Sequence, residues 1–167
     1  VTDFKSIFGT VEGLPEKYPN RVIETPISED SVAGVSIGLA LNGMYPINTH
    51  IRADFALLIF NQLVNLAAKY KYMFGGSFEV RCLFRLVIGR SWGQGAQHSQ
   101  SLQSLLAHIP GLRVIMPATP NDILVGYKHA IFEHPGPVVS LEHRLAYDLE
   151  ISDHENQDGS ISSTVMV

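Results

Sequence analysis

Short runs rich in β-branched and large apolar residues recur at 22–24, 47–51, 80–87, 112–116 and 138–142, and none shows the polar alternation of a sheet open to water on one face. They read as strands buried on both faces, hence parallel. The segments between them have helical period. Val32, Val35, Leu39 and Ala40 mark a first helix stopped at Gly43, with the small residues Ala33, Gly34 and Gly38 on its remaining faces. A second helix is expected over 55–72, with Ile59, Leu63, Leu66, Ala67 and Tyr70 inward and Lys69 and Lys71 suiting its C-terminal dipole. A third covers 99–108 and stops before Pro110 and Gly111; a fourth starts at Pro120 under a Thr119 cap and ends before His134. The fold class that follows is α/β: a doubly wound, mainly parallel sheet with helices on both faces.

Residues outside this rhythm divide the chain. The stretch 1–20, with Gly9, Gly13, Pro15 and Pro19, reads as an irregular arm lying on the domain or a partner. Residues 21–150 form the α/β domain. The polar, Ser- and Asp-rich 151–167 resembles a linker leading to a further C-terminal domain. The chain opens on Val1 rather than Met, as a trimmed N-terminus would.

Composition narrows the partners. Charged residues are 17% against 46% hydrophobic, which points to surface buried against other chains. Sixteen acidic residues outweigh twelve Lys and Arg for a net charge of -4, and no basic run occurs, so nucleic acid and acidic membrane are disfavoured. No apolar run reaches the roughly 18 residues of a membrane span, and no signal peptide is visible. The single Cys82 lies in an expected strand, buried and inert, which fits a reducing compartment. The histidines are scattered without metal-ligand spacing, so the expected metal set is none.

In a parallel α/β sheet, ligands bind beyond the carboxyl ends of the strands. Thr25-Pro26-Ile27-Ser28-Glu29 follows the first expected strand; on its own terms Glu29 is first of all an acid favouring a helix dipole, with Ser28 or Ser31 as cap. Arg52-Ala53-Asp54-Phe55 follows the second, where Phe55 most simply anchors a helix to the core. The loop GRSWGQGAQHSQS, 89–101, is more informative, because it joins three glycines, an indole and His98 between a strand and a helix. It is not a phosphate-binding loop, since no Lys follows and its glycines miss the G-x-G-x-x-G spacing. A histidine there is structural or functional with equal standing.

Four segments taken in order, RVIETPISE, GQGAQHSQS, HIPGLRVIMPATPND and PVVSLEHRLAY, lie within residues 4–147 and resemble the β subunit of the thiamine-diphosphate-dependent 2-oxo acid dehydrogenases, the decarboxylating first component of the pyruvate and branched-chain complexes. The resemblance implies the pyrimidine-binding domain of the transketolase-like architecture. It implies that Glu29 is the catalytic carboxyl that bonds the cofactor's pyrimidine nitrogen, that Phe55 and Ile27 contact the aminopyrimidine, and that His98 is catalytic near the substrate and the incoming lipoyl group.

By the same resemblance the cofactor is thiamine diphosphate, with its diphosphate and magnesium on a partner chain. The family marks that site with GDG and a downstream Asn, whereas Asp158 and Gly159 here lie in the tail without that context. The implied partners are an α subunit, a second β subunit in a heterotetramer and a lipoyl-bearing acyltransferase. The compartment is the cytoplasm, or the mitochondrial matrix or a plastid in a eukaryote. Two other readings stand beside this one: a non-catalytic assembly or regulatory module of the same fold, and an enzyme like transketolase or deoxyxylulose-phosphate synthase.

Overall fold

The structure, a computed structural model, describes residues 8–90 and 93–149. The expected tail 151–167 and Trp92 of the histidine loop lie outside the described residues. Strands β1 (Ile47–His50), β2 (Leu83–Ile88), β3 (Arg113–Ile115) and β4 (Val138–His143) form one parallel sheet in the order β1-β2-β4-β3. His50 lies opposite Leu86, and Ile88 opposite His143, so β1, β2 and β4 deliver their carboxyl ends to one edge.

Helices cover both faces, as the unalternated strands require. On one face helix α2 (Glu29–Leu41), the helical stretch 53–67 and α4 (Gln103–Ala107) enclose Phe84, Leu86, Ile88, Val114, Val139 and Leu141. On the other, α5 (Pro120–Phe132) packs Tyr127 and Ala130 against Leu83, Ile115 and Val138. The Thr119 cap is a full capping box: its hydroxyl accepts from the Asp122 amide, and Asp122 accepts from the Thr119 amide at 3.0 Å. Cys82 is fully buried just before β2, and burial pushes its thiol up to about 12.

Several expectations are corrected. Residues 22–24 are extended but pair with no strand; Ile23 is exposed, and β1 is the edge of the sheet. Strand-like composition reflects a preference for half-buried pleated surface, and here no neighbour supplies that surface. The core face of α2 is Ala33, Ser36, Ile37 and Ala40, while Val35 points outward at 62% exposure. Small side chains let the helix approach closely, so the face that buries is the small one.

The expected helix 55–72 is three ladders in succession: 3-10 at Ala53–Ile59, π at Asn61–Ala67, then α3 (Tyr70–Met73). Its inward stripe is nevertheless the expected one, with Ile59, Leu63 and Ala67 buried and Leu66 and Tyr70 packed against them. Likewise 99–102 is not helical, because Ser99 Oγ bonds the Gly95 carbonyl (2.8 Å) and Ser101 Oγ bonds Gln103 Oε1 (2.6 Å), local alternatives to the helix ladder. Within the expected irregular arm, residues Leu14–Lys17 make one helical turn, α1, entered through Gly13 at φ 77.

Candidate active site

The residues that follow the segment 22–24, Thr25 to Glu29, build one wall of a cleft. Pro26 has no amide to donate to a strand ladder and biases Thr25 toward extended backbone; the chain then bends at Ile27, and α2 starts at Glu29. Ser28 holds the N-cap position, but its hydroxyl makes no capping hydrogen bond. Across from it, β1 ends at His50 and the chain passes into the 3-10 turn that carries Phe55. Between these walls lies a cleft of about 170 Å³ lined by Ile27, Glu29, His50 and Phe55, among others. That is well below the roughly 300 Å³ at which drug-sized ligands are enclosed, and suits a single ring.

The structure therefore brings Glu29, Ile27 and Phe55 into one space. Ile27 stands at the rim, 92% exposed, and Phe55 is 37% exposed, so both keep apolar surface available to whatever enters. Among the described residues, no hydrogen bond or ion pair engages the Glu29 carboxylate. The fourth residue, His98, sits edge-on to Phe55, ring centroids 5.3 Å apart and planes at 74°. Its Nδ1 is buried without a hydrogen-bond partner among the described residues. His98 ends a short 3-10 turn, Ala96–His98, that Gly95 opens at φ 76.

Two further residues shape the site without having been singled out in the sequence. Asp54, buried beside Phe55, accepts from the Gln100 amide (3.1 Å) and from Gln100 Nε2 (2.9 Å), which ties the histidine loop to the Phe55 turn. His50 is 5% exposed; its ring stacks on Phe84 at 6.3 Å and 19°, and its Nε2 has no partner among the described residues. Burial drives its basicity down to about 4, against an opposing pull from Glu29. The signal for Asp54 was an acid directly after a strand; for His50 nothing but position at a strand's carboxyl end could have served.

The donor set fits a flat, nitrogen-bearing heterocycle: an uncommitted carboxylate, the orphaned His50 nitrogen and an apolar rim, with His98 set against Phe55. It does not fit a polyanion, for among the described residues no Lys or Arg lines the cleft. Among the described residues no group of three or more His, Cys, Asp or Glu side chains could hold a metal ion. No helix among the described residues is long and apolar enough to cross a membrane. A larger cleft of about 500 Å³ opens at the opposite edge, between Met44, Phe78, Arg81 and Phe132. It lies at the amino ends of the strands, the wrong edge for ligand binding in a parallel sheet.

Comparison with known proteins bears on this geometry. The family described as "Transketolase, pyrimidine binding domain" matches residues 3–150. The chain is 41% identical over 144 residues to the acetoin:2,6-dichlorophenolindophenol oxidoreductase subunit beta of Cupriavidus necator, covering 86% of this chain and 42% of that protein. It is 36% identical over 148 residues to the mitochondrial pyruvate dehydrogenase E1 component subunit beta-2 of Oryza sativa subsp. japonica, covering 88% of this chain and 39% of that one. With the mitochondrial 2-oxoisovalerate dehydrogenase subunit beta of Dictyostelium discoideum it shares 38% over 159 residues, 91% of this chain and 43% of the other. The chain thus spans less than half the length of these relatives. Among solved structures, a chain described as "Split gene transketolase, inactive beta4 tetramer" superposes with a TM-score of 0.66 at 22% identity, covering 90% of this chain and 48% of that one, a likeness of fold.

Proposed function

Because this chain belongs to the transketolase pyrimidine-binding domain family, we propose that it is the pyrimidine-binding part of a 2-oxo acid dehydrogenase β subunit, an enzyme that decarboxylates a 2-oxo acid on thiamine diphosphate and passes the acyl group to a lipoyl carrier. The observation that carries this reading is the single cleft with Glu29, Ile27 and Phe55 in its walls and His98 set against Phe55.

Thiamine diphosphate, when bound, supplies the electron sink that lets a 2-oxo acid lose carbon dioxide. The Glu29 carboxyl holds a proton in a hydrogen bond to the pyrimidine ring nitrogen, which is why a carboxyl free of other partners is needed. Phe55 and Ile27 pack on the heterocycle and keep water from that bond, which strengthens it. The His98 ring, fixed by Phe55 and by the Asp54–Gln100 tie, offers a nitrogen to the substrate or the lipoyl group as donor.

The charged half of the cofactor is held elsewhere, the diphosphate and its magnesium by an α subunit, as the absence of any Lys or Arg lining the cleft supports. A second β subunit completes a heterotetramer, and a lipoyl-bearing acyltransferase takes the acyl group. The assembly works in the cytoplasm, or in the mitochondrial matrix or a plastid of a eukaryote. Production with an α subunit, followed by steady-state assays of decarboxylation with pyruvate and branched 2-oxo acids and of carbon–carbon bond cleavage with acetoin, is expected to give turnover that requires both chains. An assembled pair that binds thiamine diphosphate yet turns over none of these substrates would be a non-catalytic module and would overturn the reading.

A further inference from the structure

We propose that His50 is the hydrogen-bond partner of Glu29, a positioning residue whose buried Nε2 bonds one oxygen of the Glu29 carboxyl when a ligand closes over both. The inference deepens the proposed function and rests on it for the identity of the ligand, but the pair itself is read from this chain alone.

His50 occupies the last position of β1, on the face that carries the main core. Its neighbour on that face, Asn48, is equally buried and solves the problem of a polar group by donating to Ser36 Oγ at 3.1 Å. His50 has no such solution at Nε2, although its ring is held in one orientation by Phe84. A buried polar atom without a partner is costly, and such atoms in folded proteins call for a functional account. The cleft supplies one, because the other ionisable side chain lining it is Glu29, which also has no hydrogen-bond partner among the described residues.

The charges on every element around the ring leave Glu29 as the one acting on it. On β2, Arg85 pairs opposite Thr49 and is engaged by Glu142 on the far face of the sheet. After β1, Asp54 is taken by Gln100, and Arg52 lies over the Phe8 ring at 5.8 Å. From α2 comes Glu29 itself, with Asp30 exposed beside it.

In the open cleft the imidazole is neutral at physiological pH, its basicity lowered to about 4 by burial. A ligand that covers the cleft strips water from the carboxylate as well. The carboxyl then takes up one proton from solvent on the oxygen that meets the ligand, and the neutral imidazole donates its own Nε2–H to the other oxygen, so that neither group is an ion in a dry site. The carboxyl proton that meets the ligand is thereby held in place from behind.

The test is a nuclear magnetic resonance titration of the assembled protein with only this chain labelled, following the His50 ring nitrogens and the Glu29 carboxyl carbon. Coupling between two titrating sites is reciprocal. Glu29→Gln is expected to lower the His50 midpoint by about half a pH unit or more, and His50→Phe, which keeps the stack on Phe84, to move the Glu29 midpoint by a similar amount. His50→Gln, which restores a hydrogen-bonding group, is expected to recover part of the thiamine diphosphate affinity lost in His50→Phe. Glu29 is half-exposed at a helix start, so Glu29→Gln leaves the fold intact and its arm decides the matter even if a His50 variant does not fold. Midpoints that stay within about a tenth of a pH unit in both directions would overturn the pair. Intact coupling in an assembled protein that fails to bind thiamine diphosphate would overturn the proposed function instead and leave the pair standing.

Discussion

Glu142 is the most completely satisfied side chain of the described molecule. It is 2% exposed, and Arg85 grips it with two hydrogen bonds, Nε to Oε1 at 2.9 Å and Nη2 to Oε2 at 2.7 Å, while the hydroxyls of Tyr127 and Tyr147 donate to the same two oxygens. Burial alone would disfavour its charge, but the bonds and charge of Arg85 and the two phenols hold the carboxyl below its ordinary range. Glu142→Gln should therefore cost about 3–5 kcal/mol, because it leaves the Arg85 charge buried and uncompensated. Urea denaturation at neutral pH measures this. Since the folded-state carboxyl is the more acidic one, its contribution is present at neutral pH and is lost only as pH falls through the depressed folded value. His50 works at milder pH. Its folded value of about 4 lies below the ordinary 6.5, so the unfolded chain binds more protons between those limits. Stability is then full above about pH 6.5 and falls by roughly 3 kcal/mol on acidification to about pH 4, and His50→Phe should flatten that slope in denaturation series across pH. Glu29→Gln should change stability by less than about 1 kcal/mol, the size of a helix-dipole effect, yet slow exchange of the cofactor's C2 proton for deuterium about a hundredfold in the assembled protein. An exchange rate within a few-fold of the parent would assign the carboxylate to the helix alone. His98 stood out in the sequence through its glycine loop, whereas Glu29 and Phe55 on their own read as a helix acid and a core anchor and entered as site candidates only through the family resemblance. His50 did not stand out, since a lone histidine inside a strand carries no spacing signal and only the pleat decides that it faces Glu29 rather than Arg85.

At the scale of elements, apolar periodicity reports which stripe turns inward and says little about the hydrogen-bond ladder beneath it. That is why the Ile59–Leu63–Ala67 stripe was legible within 53–73 while its division into 3-10, π and α turns was not. The strand expectation at 22–24 failed for a related reason, because a strand is defined by a neighbour and composition names none. Turn chemistry was more faithful. Thr119, Pro120 and Asp122 start α5 where the capping pattern put it, and the break expected at Pro110 and Gly111 falls between α4 and β3. Gly111 has a stricter requirement than a turn: it sits at φ +100, and a Cβ there would meet the Ala68 carbonyl oxygen at 2.1 Å. Ala68 closes the π turn with a bond from its amide to the Leu63 carbonyl at 2.9 Å, and Lys69 Nζ donates to the Pro110 carbonyl at 2.6 Å, so neither backbone can move aside freely. Gly111→Ala should destabilise by at least about 2 kcal/mol, combining an unfavourable positive φ with displacement of that carbonyl. A denaturation midpoint shifted by less than a few tenths of a kcal/mol would mean that the two segments are not locked together.

Across the whole molecule, large apolar side chains stand exposed on several elements, those around the cleft among them. Ile23 at 75%, Ile27 at 92%, Val35 at 62% and Leu58 at 57% exposure lie on the extended segment, α2 and the turn that carries Phe55. Ile27 lines the cleft itself, so a partner seated on that rim would also roof the ligand. The cleft by itself offers a bound cofactor one ring's worth of enclosure, about 170 Å³, and no cationic side chain. A diphosphate draws most of its binding free energy from a metal and its oxygen ligands, and the described part of this chain has no cluster able to hold one. The chain alone should therefore bind thiamine diphosphate at least a hundredfold more weakly than it does together with an α subunit and magnesium, a loss of about 2.7 kcal/mol or more. Calorimetric titration of each form measures the difference directly. Micromolar binding by the isolated chain would require a diphosphate anchor within its own residues, and the cofactor would then belong to one subunit rather than to the interface between two.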